Sequence, residues 1–290
     1  MSYSVSHVTL PGGYWVAEGK FYRDAWVRPL SGEVELWAAE SQMGAVPARR
    51  VTELLASCVG RIGDLVEPGM TVAAGLTVGD REALLLHLRR LTYGERMQCV
   101  LTCPWPRCGE RMDLDLGIHE LLVPKYENIC PEHETEFSVE SGRCRVKFRL
   151  PTGADQEAAA GLAARAPHDA AQLILDRCVS SVVVNETLVD RLPLEAAEPL
   201  ARVMSDLDPQ AEMRLDPVCP ACGRGFSTIL DTAAYFFHEI AARGRAIVRE
   251  VDLLAARYHW SEAAILGMTS PRRRSYCALQ YERAQSELVR

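Results

Sequence analysis

The chain has 290 residues, 48% hydrophobic and 24% charged, with a formal net charge of −7. That is enough apolar material for one large domain or two small ones, and the acidic balance argues against a general nucleic-acid binder, which carries a strongly basic face. No run of about twenty apolar residues is present to span a membrane, and no basic-then-apolar leader opens the chain, so cytoplasmic synthesis is expected.

In chain order, Val8 to Leu10, a turn at Pro11-Gly12-Gly13, Tyr14 to Val16 and Phe21 to Val27 read as a small β-structure, followed by a helix opened by Ser31. Leu54, Leu55, Cys58 and Val59 recur at helical spacing and predict a helix over about 47–59. Asp80, placed after Gly79, is the expected N-cap of the next helix, which carries Leu84, Leu85, Leu88 and Leu91. Phe137 to Val139, a turn at Glu140 to Gly142 and Cys144 to Leu150 predict a β-hairpin. Thr152 or Asp155 then caps an alanine-rich helix, with further helices over about 168–179 and 194–206. Ala233 to Tyr258 has the length and apolar recurrence of a long amphipathic helix, Ser261 and Glu262 open a short one, and Pro271 to Leu288 form the last.

The most specific signal is a repeated cysteine motif, Cys103-Pro-Trp-Pro-Arg-Cys108-Gly109 and, about 115 residues on, Cys219-Pro-Ala-Cys222-Gly223. Met112, Leu114, Asp115 and Leu116 after the first pair loosely echo Phe226, Ile229, Leu230 and Asp231 after the second. Four thiolates at about 2.3 Å satisfy a tetrahedral zinc ion and leave no position for substrate. Pro104 and Pro220 preset the turn dihedral, and Gly109 and Gly223 supply the positive φ that turns backbone amides towards the sulfurs. The expectation is one structural zinc held by Cys103, Cys108, Cys219 and Cys222. Against it stand the C-x4-C spacing of the first pair and the wide separation of the two pairs, although loop-closure entropy grows only logarithmically with length. Cys99 and His119 compete as ligands, but neither has a counterpart in the second copy. The remaining cysteines, Cys58, Cys130, Cys144, Cys178 and Cys277, are expected to be reduced core residues.

This gives an α+β fold with a zinc-ribbon-like core of two knuckles. Residues 1–98 form a small N-terminal β/α region, 99–117 with 209–232 a discontinuous ribbon, 118–208 an inserted hairpin plus helices, and 233–290 a C-terminal helical segment. Other motifs favour ordinary structural roles. Gly79-Asp80-Arg81-Glu82 lacks the glycines and the Lys-Ser/Thr of a phosphate loop. The seven histidines show no metalloprotease spacing, and Glu132, Glu134 and Glu136 around His133 read as a solvated loop. Arg272, Arg273 and Arg274 after Trp260 could belong to a helix-turn-helix, but three arginines at a helix N-terminus oppose the macrodipole, so a helical bundle whose arginines sit on a solvated face or a partner surface is favoured; the expectation is a partner-binding surface at Trp260, Arg272, Arg273 and Arg274, with Trp260 merely packing the bundle as the alternative.

Several ordered blocks together carry a family resemblance: Gly79-Asp80-Arg81-Glu82-Ala83-Leu84-Leu85-Leu86 running into Leu91-Thr92-Tyr93-Gly94, the first Cys-Pro knuckle followed by Met112 to Leu116, Phe148 to Asp155, the second Cys-Pro-x-Cys-Gly, and Tyr258 to Glu262 with Arg272 to Arg274. Over roughly residues 50 to 285 the chain resembles the baseplate hub assembly chaperone family of T-even-like contractile phages, which also occurs in prophages and phage-derived injection systems. The resemblance implies a non-enzymatic protein that acts in assembly of the central hub of a contractile tail, with hub, spike or tape-measure proteins as partners and no membrane. It implies either departure after assembly or incorporation into the particle. The competing expectation is a zinc-ribbon nucleic-acid binder using the C-terminal helices.

Overall fold

The computed structural model describes residues 5–16, 19–40, 47–127 and 129–288. The outermost residues of the expected N- and C-terminal regions, 1–4 and 289–290, lie outside these. The fold is mixed α and β, and among the described residues no helix is long and apolar enough to cross a membrane.

The first sheet has strand order β1-β2-β3-β4, formed by Ser6–Trp15, Phe21–Val27, Val59–Ile62 and Leu65–Val66. The expected turn at Pro11-Gly12-Gly13 is instead an irregularity inside β1, where the register against β2 shifts between Thr9 and Tyr14. Pro11 is tolerated because β1 is an edge strand, and its carbonyl accepts the Tyr126 N–H at 2.9 Å. Between β2 and β3 lie α1 (Gly32–Glu40) and α2 (Pro47–Cys58), and α3 (Gly69–Gly75) and α4 (Val78–Tyr93) follow β4.

Helix α4 is buried on nearly every side, as its all-round apolar run Ala83 to Leu88 requires. Its N-cap is Thr77, whose Oγ1 accepts the Asp80 N–H at 3.3 Å; Asp80, expected to be the cap, sits inside the first turn and is fully buried. Its carboxylate reaches across to β1 and accepts the Gly12 N–H at 2.8 Å. Burial, reinforced by the neighbouring Asp208 carboxylate, pushes Asp80 up to about 7.

A hairpin of β5 (Arg96–Thr102) and β6 (Arg111–Gly117) comes next, then the short helix α5 (Ile118–Leu121). The expected boundary at 98/99 therefore falls within β5. The second sheet has order β10-β9-β8-β7, from β7 (His133–Val139), β8 (Gly142–Phe148), β9 (Val179–Val184) and β10 (Thr187–Val189), with α6 (Gly153–Ala163) and α7 (Pro167–Cys178) between β8 and β9. Strand β7 begins at His133, so Glu134 and Glu136 lie on a strand and not in the expected loop. There they pair with Arg143 and Arg145 of β8. After β10 come α8 (Leu194–Leu207), a 3₁₀ turn at Pro209–Ala211, the small hairpin β11 (Arg214–Leu215) and β12 (Thr228–Ile229), and α9 (Thr232–Tyr258), α10 (Glu262–Leu266) and α11 (Ser270–Leu288).

The region expected to be an insert repeats the N-terminal one. Both run strand, strand, helix, helix, strand, strand, and both carry Arg-x-x-Ser/Thr-Gly at the exit from the second strand: Arg28 to Gly32 and Arg149 to Gly153. Equivalent backbone bonds close each unit, from Arg28 N–H to Cys58 O at 2.9 Å and from Arg149 N–H to Cys178 O at 3.0 Å. Each glycine loop receives a matching segment from elsewhere in the chain. Gly75-Leu76-Thr77 pairs with the Thr152 loop, and Gly267-Met268-Thr269 pairs with the Ser31 loop. The helices that follow each bring in a buried arginine four residues after the threonine. A Cβ on Gly153 would stand 2.2 Å from Arg81 Nη1, and one on Gly32 would stand 2.6 Å from Arg273 Nη1, so both glycines answer the same close approach.

Asp155 fixes the second unit. Its buried carboxylate binds Arg149 at 2.6 Å and Arg177 at 2.8 Å and accepts the Thr152 N–H at 2.9 Å. Burial alone would raise its pKa, but these donors outweigh burial and hold it well below the usual carboxylate range. Its contribution to stability is therefore complete above the unfolded value, about 4, and is lost as pH falls below it. Asp155→Asn should be less stable than wild type at pH 7, and the difference should shrink between pH 4 and pH 2 in urea unfolding. A difference that is constant across that range would contradict the assignment.

Candidate metal centre

The two cysteine knuckles are hairpin tips whose roots share one apolar cluster. Met97 of β5 and Ile118 at the end of the first hairpin pack with Leu86 of α4 and with Met213, which precedes β11. Arg89 of α4 is almost fully buried and braces the first root by donating to the carbonyls of Gly94 at 2.7 Å and Arg96 at 2.6 Å. Its other nitrogens bind Glu239 of α9. Tyr235 OH donates to Gln98 O at 3.0 Å and ties α9 to the same hairpin. These anchors bring together cysteines that are more than a hundred residues apart in sequence.

Each knuckle closes in the same way. Cys103 N–H donates to Glu110 O at 2.8 Å, and Cys219 N–H donates to Arg224 O at 3.0 Å. Gly109 and Gly223 adopt φ of 64° and 69°, as the turn chemistry predicted. The longer first spacing is absorbed by two extra residues in the turn, with Arg107 held at φ 68° in the left-handed region. A further contact joins the tips: Trp105 Nε1 donates to Gly225 O at 3.1 Å, and the Arg224 guanidinium lies over the Trp105 ring. Sequence reasoning missed this clasp. The aromatic residue between the two prolines of the first knuckle was its only trace.

The four sulfurs lie within 4.8 Å of one another. Cys103 and Cys222 are 3.8 Å apart, and Cys108 and Cys219 are 3.7 Å apart. Four sulfurs at tetrahedral corners around an ion about 2.3 Å away stand about 3.8 Å from each other, whereas a disulfide needs about 2.05 Å. The donor set therefore fits one tetrahedral thiophilic ion and does not fit bridges; all ten cysteines are free thiols. The amides of Cys222 and Ala221 draw the Cys219 thiol down, while burial pushes Cys103 up. Cys103 and Cys219 are buried against Met112, and Cys222 faces solvent. Cys99 and His119 stand outside the cluster. Cys99 lies along β5, and His119 binds Glu95 at 2.9 Å. Of the cysteines expected in the core, Cys58, Cys144, Cys178 and Cys277 are buried, but Cys130 is exposed beside His133.

The β5–β6 and β11–β12 hairpins remain separate two-stranded sheets, so the knuckles meet without forming one continuous ribbon sheet.

The expected partner surface at Trp260, Arg272, Arg273 and Arg274 needs correction. Arg273 is 1% exposed and binds Glu35 and Glu250 at 2.5 Å each, while Tyr93 OH donates to Glu35 at 2.8 Å. It is an interior cation that docks α11 onto α1, which also explains how arginines are accommodated at this helix N-terminus. Arg274 is half-buried and donates to the Thr92 carbonyl. Arg272 is exposed, and Trp260 is half-buried in a stack with Tyr258 and against the edge of Tyr276.

The structure thus combines a duplicated α/β scaffold with a cluster of four thiols spaced as a tetrahedral metal site requires. The family model for the T4 bacteriophage base plate protein matches residues 35–238, and the chain belongs to that family. The matched span runs from α1 into α9 and contains all four clustered cysteines. No curated protein and no solved structure matches the chain.

Removing Arg273 leaves Glu35 buried without its cation, a loss of about 3–5 kcal/mol by the measure of other buried pairs. Arg273→Met should lower stability by roughly that amount in chemical denaturation, with Arg272→Met within about 0.5 kcal/mol of wild type. Equal effects of the two changes would refute the interior assignment.

Proposed function

We propose that the chain is a non-enzymatic structural or assembly component of the baseplate hub in a contractile tail or injection particle, acting by binding other baseplate proteins and carrying one zinc ion on Cys103, Cys108, Cys219 and Cys222. The family supports the setting, and the sulfur geometry carries the metal reading. Zinc suits four thiolates because it has no directional d-electron preference, and when bound it supplies charge that holds all four sulfurs deprotonated. The amides of Cys222 and Ala221 already favour the thiolate of Cys219, and the Trp105 contact keeps the two tips in register without the ion. A site with four protein ligands has no vacancy for a reacting molecule, so its role is to fix the hairpins.

The partners that fit this reading are hub, spike or tape-measure proteins. The C-terminal helices retain Trp260 and Arg272 as candidate contacts. Tryptophan and arginine are both common in binding hot spots, and Trp260 is half-buried and Arg272 exposed, whereas Arg273 and Arg274 are engaged within the chain.

Co-expression with the hub, spike and tape-measure proteins encoded alongside it should yield a stoichiometric complex containing one zinc per copy of this chain by elemental analysis. Cys219→Ser combined with Cys222→Ser should abolish metal retention, and Cys99→Ser should leave it unchanged. Purified protein that elutes alone from every such co-expression, or a hydrolytic or transfer activity in its place, would overturn the assembly reading. Full zinc retention in the double variant would overturn the ligand assignment.

A further inference from the structure

Two buried carboxylates meet where the two repeated units join. Asp80, in the first turn of α4, is fully buried, and Asp208, the C-cap of α8, is 2% exposed. Gly79, the residue before Asp80, donates its N–H to Asp208 Oδ2 at 2.9 Å. A Cβ on Gly79 would stand 1.9 Å from Asp208 Oδ1, so the end of α8 is seated directly on the start of α4. Asp208 also accepts the Tyr126 hydroxyl at 2.6 Å, and Tyr126 N–H donates to Pro11 O of β1. Asp80 accepts the Gly12 N–H and lies 3.1 Å from Thr77 Oγ1. Helix α8 packs on the second sheet through Ala196, Leu200 and Met204, so these bonds tie the second unit to β1 and α4 of the first. Gly12, Thr77, Tyr126 and Leu207 also line a cavity of about 210 Å³ at this seam.

The donors to both carboxylates are neutral amides and hydroxyls, and the charged groups around them are engaged elsewhere. Arg81 binds Thr52 Oγ1 and the carbonyls of Ala48 and Ala73, Arg23 binds the Tyr126 carbonyl, and Arg149 of the second unit binds Asp155. Glu82 bonds the Thr232 hydroxyl beside Asp231. On β1, His7 pairs with Asp24, and burial raises Tyr14, which stays neutral. Lys125 and Glu127, either side of Tyr126, and Asp206 of α8 are exposed. Two like charges in a buried seam without a cation disfavour each other's ionisation, so one acid keeps a proton at neutral pH.

The hydrogen bonds place that proton on Asp80. The Tyr126 oxygen accepts the Gln210 N–H at 3.1 Å and directs its own proton to Asp208 Oδ1, while Asp208 Oδ2 takes the Gly79 N–H. Both oxygens of Asp208 are thus filled by donors. Thr77 Oγ1, in contrast, can donate to Asp80 Oδ2 or accept from it, so this contact survives protonation.

We propose that Asp80 and Asp208 form a proton-operated latch between the two units: a proton on Asp80 keeps the joint closed, and its departure sets two carboxylates against each other and loosens the end of α8 from α4 and β1. The latch belongs to this chain alone and does not depend on which partner the protein binds. Burial and Asp208 raise Asp80 in the folded protein to about 7. A carboxyl raised on folding stabilises fully below its unfolded value, about 4, and loses that contribution as pH rises towards the folded value. Opening of the joint should therefore become about tenfold more favourable per pH unit between about pH 4 and pH 7 and level off above.

Chemical denaturation of the purified full-length protein between pH 5 and pH 8 tests this, with wild type compared with Asp80→Asn. Asparagine keeps the shape of the protonated acid, and the ratio of the two unfolding constants removes groups common to both proteins, such as Glu82 and His87. That ratio should rise about tenfold or more from pH 5 to pH 7 and then flatten. In an Asp208→Asn background the rise should be smaller, because the neighbouring charge is gone. A ratio independent of pH, or a rise untouched by Asp208→Asn, overturns the latch. Should Asp80→Asn fail to fold, amide hydrogen exchange of wild type decides alone. Protection of the Gly12, Gly79 and Tyr126 amides, corrected for the intrinsic exchange rate, should fall about tenfold or more from pH 5 to pH 7, while that of the β7–β8 amides holds. Equal changes in both sets, or none at the three seam amides, overturn it.

Discussion

A helix buried on nearly every side must find partners inside the protein for most of the polar groups it carries, and α4 is such a helix. Several of its polar side chains reach different parts of the chain. Asp80 holds the irregular middle of β1, and Arg81 binds Thr52 Oγ1 together with the carbonyls of Ala48 and Ala73. Arg89 braces the root of the first knuckle hairpin and pairs with α9, while Thr92 Oγ1 accepts the Leu30 N–H at 3.1 Å and so fixes the loop that leads into α1. The demand for internal partners thus sets where both units, the hairpin and the long helix stand relative to one another.

The repeated units show how the same local chemistry reaches different balances. Arg273 enters the Gly32 loop and meets two carboxylates, so its charge is matched. Arg81 enters the Gly153 loop, where Gln156 occupies the position of Glu35, and its direct partners are a hydroxyl and two carbonyls. Burial accordingly lowers Arg81 to about 10, while the carboxylates raise Arg273. One unit is locked by a buried ion triad. In the other, the entering Arg81 is held by neutral acceptors, and the charge is matched instead at Asp155.

Much of the architecture was legible where a local rule governed it. The long C-terminal helix follows from apolar recurrence, Ser261 does cap α10 by accepting the Ala264 N–H at 3.2 Å, and the β7–β8 hairpin turns at Glu140 to Gly142. The cysteine cluster was legible for the same reason, since spacing and flanking proline and glycine encode the turn itself. Contacts made at long range decided what was missed. Asp80 looked like a cap because an aspartate after a glycine usually is one, but Thr77 was the better-placed oxygen and Asp80 was drawn inward by β1. Strands β9 and β10 directly follow α7, so helical periodicity concealed them, and the duplication is carried by a few spaced residues such as Arg28, Gly32, Arg149 and Gly153. Arg273 was misassigned to the surface because nothing local shows that Glu35, more than two hundred residues earlier, waits for it.

The two knuckles bring four sulfurs to the spacing of a single tetrahedral ion. X-ray absorption at the zinc edge of the purified, reduced full-length protein measures this directly. Four sulfur neighbours at about 2.3 Å, with no nitrogen or oxygen in the first shell, are the predicted result. A shell containing histidine nitrogen or water, or zinc shared between two chains with fewer than four sulfurs from each, would contradict it.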